Sequence, residues 1–223
     1  MSNFKKSYLD FFASLEKHNT KEWFDANRSV YESEVKEPFT AFVGELIELI
    51  QNEDSEVRIA SKEAIFRINR DTRFSKDKRP YKTYMAANIS RYGRKNKEYP
   101  GFYVQLGYDK IMVGGGAHTL EDKNIYNVRK AIVKDQRMFE SLLADKQFKK
   151  RYGSLQGERS KILLPEFKAI AASQPTVANK QFYFMSDLEA QVILRKDLAA
   201  FLMQYYRAGA GISQFLKKAM AEK

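Results

Sequence analysis

The sequence predicts an α+β fold: a mainly antiparallel sheet with helices packed on one side and at its ends. Three observations carry this. Apolar residues recur at helical spacing over about 4–51, alternate at strand spacing over about 62–116, and return to helical spacing, with one further short strand, over about 121–220. No repeat, low-complexity tract or linker divides the 223 residues, so 1–223 reads as a single domain. A composition that is 43% hydrophobic and 13% aromatic is ample for a buried core.

Phe4, Tyr8, Phe11, Phe12 and Leu15 mark a first helix, and Asn19, followed three residues later by Glu22, is the expected N-cap of a second through Trp23, Phe24, Val30 and Tyr31. Pro38 has no amide hydrogen and crowds the carbonyl four residues back, so it is expected to open a new helix. Phe39, Phe42, Val43, Leu46, Ile47 and Ile50 form the buried stripe of that helix, which the polar run 51–55 ends. Ala64, Phe66 and Ile68 then alternate with Ile65, Arg67 and Asn69 as in a half-buried strand. Further strands are expected at 84–91, 101–108, 110–113 and 182–185, the second and third joined in a hairpin through Gly107-Tyr108-Asp109-Lys110. Between them, helices are marked by Ile125, Val128, Ile132 and Val133 and by Phe139, Leu142 and Leu143, with 148–152 a short extension that Gly153 ends. The stretch 154–180 reads as mostly irregular, and 194–220 as a helix broken near Gly209-Ala210-Gly211.

The net charge of +11 is unevenly placed. Residues 1–60 carry 7 Lys/Arg against 12 Asp/Glu, a balance of −5, whereas 61–100 carry 12 against 4, or +8. The remaining +8 is spread over 101–223, where it reads as solubilising surface. A local basic excess raises the concentration of anionic partners, so nucleic acid, nucleotides and phosphorylated metabolites come forward. With no cysteine, disulfides, thiolate nucleophiles and cysteine-ligated metal centres are excluded. The two histidines, His18 and His118, lack partners at metal-ligand spacing, which excludes a structural zinc site; oxygen-ligated magnesium or calcium stays open, but with no carboxylate-dense calcium loop no metal-binding residues are assigned. No window is apolar enough for a membrane span, and the first residues lack the pattern of a secretory signal; a cytoplasmic protein without membrane contact is expected.

The sixteen positions 67–82 hold seven Lys/Arg and two Asp, mixed with Ser75, Tyr81, Phe74 and Pro80. Such a composition suits an ordered loop rather than a solvated charge run. Arginine offers a planar fork of donors to carboxylate or phosphate, so Arg67, Arg70 and Arg73, with Lys78 and Lys82, are the candidate anion ligands. Ser75 and Tyr81 add hydroxyl contacts, while Asp71 and Asp77 stand as base or orienting groups. An internally satisfied Arg–Asp network is the alternative, opposed by the surplus of cations that self-pairing leaves over. Gly114-Gly115-Gly116 lacks the spacing of either phosphate-loop motif and reads first as room for a positive φ or a close backbone approach.

The run 66–83 resembles the signature F-R-I-x-R-D-x-R-F-S-x-D-K-x-P-Y-K-T of a family of uncharacterised, mostly bacterial proteins, a domain of unknown function. Trp23-Phe24-Asp25-Ala26-Asn27-Arg28 with Tyr31-Glu32, Gly101-Phe102-Tyr103 with Leu106, Val113-Gly114-Gly115-Gly116, and Arg129 are similar to further landmarks of that family. The resemblance spans most of the chain and implies no reaction or cofactor. Family members commonly carry an aromatic or aliphatic pair just after the triple glycine, where this chain has Ala117-His118.

Three functional classes follow. The first is a site for a phosphate- or carboxylate-bearing small molecule, with phosphate-ester chemistry the best fit to clustered positive charge. The second is a nucleic-acid-binding module in which Tyr81, Tyr84, Tyr92, Tyr99 or Tyr103 stack on bases and the run 91–97 extends the cationic track. The third is a scaffold whose basic loop is internally paired and whose partner is another protein.

Overall fold

Pro38 sits inside a helix that runs without a break through residues 28–51. The chain was expected to restart there. The computed structural model, which describes residues 4–96 and 98–221, instead carries α3 (Arg28–Val30) into a π-helical segment (Tyr31–Lys36) and on into α4 (Glu37–Gln51). In the wider π turn the amide of Glu37 donates to the carbonyl of Glu32, five residues back. That register shift puts Pro38, a residue with no amide hydrogen, in the first turn of α4, so the new helix that the proline was expected to open follows the π turn directly.

Two compact units emerge from the chain: one of Met1–Arg94, Tyr103–Val113 and Asp187–Met203, the other of Lys95–Phe102, Gly114–Ser186 and Gln204–Lys223. A four-stranded antiparallel sheet has the order β1 (Tyr84–Ile89), β2 (Gly101–Gly107), β3 (Lys110–Ala117), β4 (Phe182–Glu189). Only Tyr108 and Asp109 separate β2 from β3, the tight connection that the sequence implies.

In the first unit, α1 (Lys6–Lys17) and α2 (Lys21–Ala26) join the 28–51 helix, and α5 (Ser61–Ala64) adds a single turn. Tyr8, Phe12, Leu15, Val35, Phe39, Phe42 and Leu46 are fully buried. The Tyr8 hydroxyl donates to the Leu106 carbonyl at 3.0 Å, tying α1 to β2. Such a bond matters because a buried unpaired hydroxyl costs about 1–3 kcal/mol. Met85, Ala87 and Ile89 of β1 and Val104 and Leu106 of β2 are buried, whereas Tyr84, Asn88, Tyr103 and Gln105 are half-exposed. The sheet here has one dry face and one wet face. The cap of α2 is Thr20, whose side chain accepts the Trp23 amide at 3.2 Å, one residue later than the sequence suggests. The expected strand at 64–69 is also different: Ala64 ends α5, and 65–70 meet 80–87 only through isolated antiparallel bridges, Ile65 with Ala87 and Asn69 with Tyr81. The two bridges are out of register with each other by two residues, which breaks the ladder that a regular strand requires.

In the second unit, α6 (Asp122–Lys134), α7 (Gln136–Ala144), α8 (Lys146–Tyr152) and α9 (Pro165–Ala171) surround Phe139, Phe148, Phe167, Phe182, Phe184 and Phe215. The stretch 154–180, expected to be irregular, contains α9, opened by Pro165 at its first turn, and a 3-10 turn at Pro175–Ala178. α10 (Leu198–Ala221) is unbroken through its glycines. Those glycines are there for packing: a Cβ on Gly209 would lie 2.3 Å from the Phe184 ring. The same need explains the triple glycine, which lies inside β3. Gly116 has φ +87°, and a Cβ there would meet the Phe182 carbonyl oxygen at 2.3 Å. Arg129, only 8% exposed, donates from Nη2 to Ser160 Oγ (2.6 Å) and to the carbonyls of Ala178 and Asn179 (3.1 Å each). It thereby holds the end of the 3-10 turn to α6.

Candidate anion-binding loop

Residues 65–70 run out from α5 and 80–87 return beside them, both within the first unit. Backbone hydrogen bonds from Phe66 to Ala86, from Arg70 to Pro80 and from Lys82 to Ile68 hold the two stems together. Asn19, freed from capping, clamps the returning stem: its Nδ2 donates to the Tyr81 carbonyl and its Oδ1 accepts the Tyr81 amide, each at 3.0 Å. The Tyr81 ring lies flat on Phe24, 4.1 Å between centroids and 16° between planes. At 7% exposure it supports the loop from beneath.

Between the stems, residues 71–79 fold on themselves by one local device used twice. In Asp71-Thr72-Arg73 and again in Asp77-Lys78-Arg79, the aspartate Oδ1 accepts both the backbone amide and the Nε of the arginine two residues on. Asp71 Oδ2 also takes Arg73 Nη2 at 2.8 Å, and Asp77 Oδ2 takes Arg79 Nη2 at 2.8 Å and Arg70 Nη1 at 2.5 Å. Arg79 also reaches Glu16 at the end of α1, at 2.5 Å. Lys78 Nζ closes the loop by donating to the Thr72 carbonyl at 2.9 Å. The arginine hydrogen bonds hold the Asp71 carboxyl down to about 2, and those from Arg79 and then Arg70 hold Asp77 lower still. Both carboxylates therefore stay ionised at neutral pH and are weak proton acceptors.

Every acid of the loop is thus engaged by Arg70, Arg73 or Arg79. The guanidinium of Arg67 and the ammonium of Lys76 make no hydrogen bond or ion pair among the described residues, although the Arg67 charge helps to lower the Asp71 pKa, and Lys78 and Lys82 donate to neutral carbonyls. Lys82 Nζ donates to the Arg67 carbonyl at 2.9 Å and lies 5.6 Å from the Phe66 ring and 6.0 Å from the Tyr84 ring. Burial, and secondarily the charge of Arg67, lowers the Lys82 pKa below the ordinary lysine value. The seven cations of 67–82, five of them predicted as ligands from sequence, fall into two sets. Arg70, Arg73 and Arg79 are braced by carboxylates, while Arg67, Lys76, Lys78 and Lys82 are left without one. Ser75 is half-buried, its amide turned back to the Thr72 carbonyl at 3.3 Å.

Phe66 lies beside Lys82, and the half-exposed sheet face adds Tyr84, Tyr103 and Gln105. Phe66 and Tyr103 are 6.4 Å apart, and Tyr103 donates to Gln105 Oε1 at 2.8 Å. Burial raises the Tyr103 pKa. Sequence reasoning left Phe66 and Gln105 out of the site and took Tyr84 and Tyr103 only as base-stacking candidates. The alternation in β1 and β2 was the signal available for the two tyrosines. Glu16 and Asn19, 63 and 62 residues from their partners, carry no local signal.

In the run 91–97, Arg91 pairs with Glu56 at 3.4 Å. Arg94 bends back to the carbonyls of Lys62 and Ile65, and Lys97 lies outside the described residues. Arg28 pairs with its neighbour Asp25, and Asn27 donates back to the Trp23 carbonyl at 2.8 Å, so neither joins the loop's hydrogen bonds. In the second unit, His118 is exposed with its ring 4.9 Å from that of Tyr183. Among the described residues no group of three or more His, Asp or Glu is placed to hold a metal ion, and no helix is long and apolar enough to cross a membrane.

The family described as Conserved hypothetical protein (DUF2461) has a model that matches residues 7–215, and the chain belongs to this family. No curated protein matches the chain.

Proposed function

We propose that this member of a conserved hypothetical family binds a phosphate- or carboxylate-bearing small molecule at residues 67–82. The observation that carries the reading is the division of charge within the loop. The acids are consumed in bracing Arg70, Arg73 and Arg79, and Arg67, Lys76, Lys78 and Lys82 keep uncompensated positive charge on an ordered backbone. A scaffold with an internally satisfied network would not leave that surplus. In this reading Asp71 and Asp77 orient guanidinium forks, Tyr81 supports the floor, and Ser75 and the free cations meet the oxyanion. Charge stabilisation of a phosphate ester is the chemistry that such a set of cations suits best.

One observation favours a second reading, in which the anion is a nucleic-acid backbone. Phe74 is 95% exposed, with the Arg73 guanidinium 5.8 Å from its ring, an arrangement suited to stacking on a base.

Titration calorimetry with sugar phosphates, nucleoside monophosphates and a ten-nucleotide single strand, repeated over a range of NaCl, tests both readings. The small-molecule reading expects a mononucleotide or sugar phosphate to bind with a shallow salt slope, and Arg67→Ala with Lys82→Ala to lose about tenfold or more in affinity. A steep log-linear slope, equivalent to roughly four or more released counterions, together with loss of binding in Phe74→Ala, transfers the site to nucleic acid. No heat from any of these at millimolar concentration removes both.

A further inference from the structure

Within the second unit, a cavity of about 600 Å³ opens against α7, α8 and α10, lined by Leu142, Asp145, Arg151, Gln204, Arg207 and Ile212 among others. That volume falls within the ~300–1,000 Å³ range of small-molecule sites. Its only lining carboxylate is already committed: Asp145 Oδ1 accepts the amides of Gln147 and Phe148, at 2.9 and 2.8 Å, as the N-cap of α8. Arg151 lines the same cavity without an ion pair to that carboxylate. Its Nη2 donates to Gln204 Oε1 at 2.7 Å, its guanidinium carbon sits 4.7 Å from the Tyr205 ring centroid, and its buried Nε has no partner. No carboxylate pairs with it among the described residues. The tyrosine face and the glutamine fix the fork in one plane, so little side-chain freedom is lost when an oxyanion arrives. Arg207 adds a second cationic group to the lining, and Leu142, Ala208 and Ile212 give it an apolar wall.

We propose that this cavity binds a small organic acid, a carboxylate or phosphate monoester carried on an apolar body, with Arg151 gripping the oxyanion and the Leu142–Ile212 wall covering the body. A buried Nε with no acceptor is otherwise a standing cost, and a bidentate oxyanion removes it. The proposal is independent of the loop at 67–82, which lies in the other unit.

The test uses the full chain and the side-chain Nε–H resonances of its arginines, titrated separately with benzoate, phenyl phosphate and benzyl alcohol. At least one of the two anions is expected to shift the Arg151 resonance saturably at millimolar concentration or below, with benzyl alcohol leaving it in place. Whichever anion binds tells a carboxylate site from a phosphate site. Affinity for that anion is expected to fall about tenfold or more in Arg151→Met. It should fall also in Ala208→Leu, which fills the cavity without altering its charge. Saturation by neither anion, an equal response to benzyl alcohol, or unchanged affinity in the folded variants would overturn the proposal. Should Arg151→Met fail to fold, Ala208→Leu decides.

Discussion

Asp71 and Asp77 each stand two residues before an arginine, and this spacing sets their chemistry. The aspartate oxygen receives a backbone amide and a guanidinium from the same residue, so the ionised carboxylate is favoured twice over. Both pKa values lie below the ordinary carboxylate value of 3.8, Asp71 at about 2. A carboxyl whose folded pKa is depressed contributes stability above its unfolded pKa and loses that contribution as pH falls through the folded value. For Asp71 the window runs from 3.8 down to about 2. The contribution is small, because both groups are open to water and to screening salt. Carbon-13 titration of the carboxyl resonances is expected to place Asp71 near 2 and Asp77 lower. Midpoints close to 3.8 in low salt would mean that the arginine pairs dissolve in solution. The density of cations was legible in the sequence because composition alone reveals it. The partition of those cations was not, since it depends on how the loop folds back: Asp77 accepts from Arg79 two residues on and also from Arg70 seven residues earlier, while Arg67 is left out.

At the level of elements, periodicity located the helices and strands, and backbone chemistry moved their ends. The reading of β3 stops at Val113 because glycines carry no apolar signal, yet the strand continues to Ala117. α9 was invisible because Phe167 alone of its seven residues is buried, so no apolar stripe marks it, whereas the equally short α8 shows Phe148 and Tyr152. The suspected break in α10 failed for the opposite reason: the glycines are sites of contact, and helix propensity yields to packing. Two glycines with similar positive φ separate these causes experimentally. Gly153, at φ +72° and ψ −64°, ends α8 in a γ-turn, the Ser154 amide donating to the Tyr152 carbonyl, with nothing within 4 Å of an added Cβ, so Gly153→Ala costs only backbone strain of about 1–3 kcal/mol. Gly116, at +87°, faces the Phe182 oxygen at 2.3 Å and the Tyr183 Cα at 2.8 Å, both backbone. Gly116→Ala is expected to cost more than about 3 kcal/mol or to prevent folding, since β4 cannot keep its distance from β3. Urea denaturation of the two variants checks the difference, and equal losses would show that φ alone accounts for both.

Over the whole molecule the charge is +11, and the acidic first sixty residues offset part of the basic stretch that follows through Glu16–Arg79 and Glu56–Arg91. These bridges are exposed, as are Lys36–Glu32 and Arg195–Asp197, and each contributes at most about 1 kcal/mol. The repulsion among the remaining cations is collective and acts over the ~10 Å Debye length of 0.1 M salt. Two opposite responses to NaCl follow from one charge distribution. Screening relieves self-repulsion in the folded chain, so the melting temperature is expected to rise between about 0.02 and 0.3 M NaCl. The same screening weakens capture of an anion at Arg67, Lys76, Lys78 and Lys82, so affinity there falls. Scanning calorimetry across that salt range, without ligand, checks the first response. A melting temperature that falls with NaCl would mean that the surface pairs outweigh the repulsion. The cations at 67–82 would then be held mainly by acids of the fold, and the surplus from which anion binding is argued would be smaller than the pairing pattern makes it.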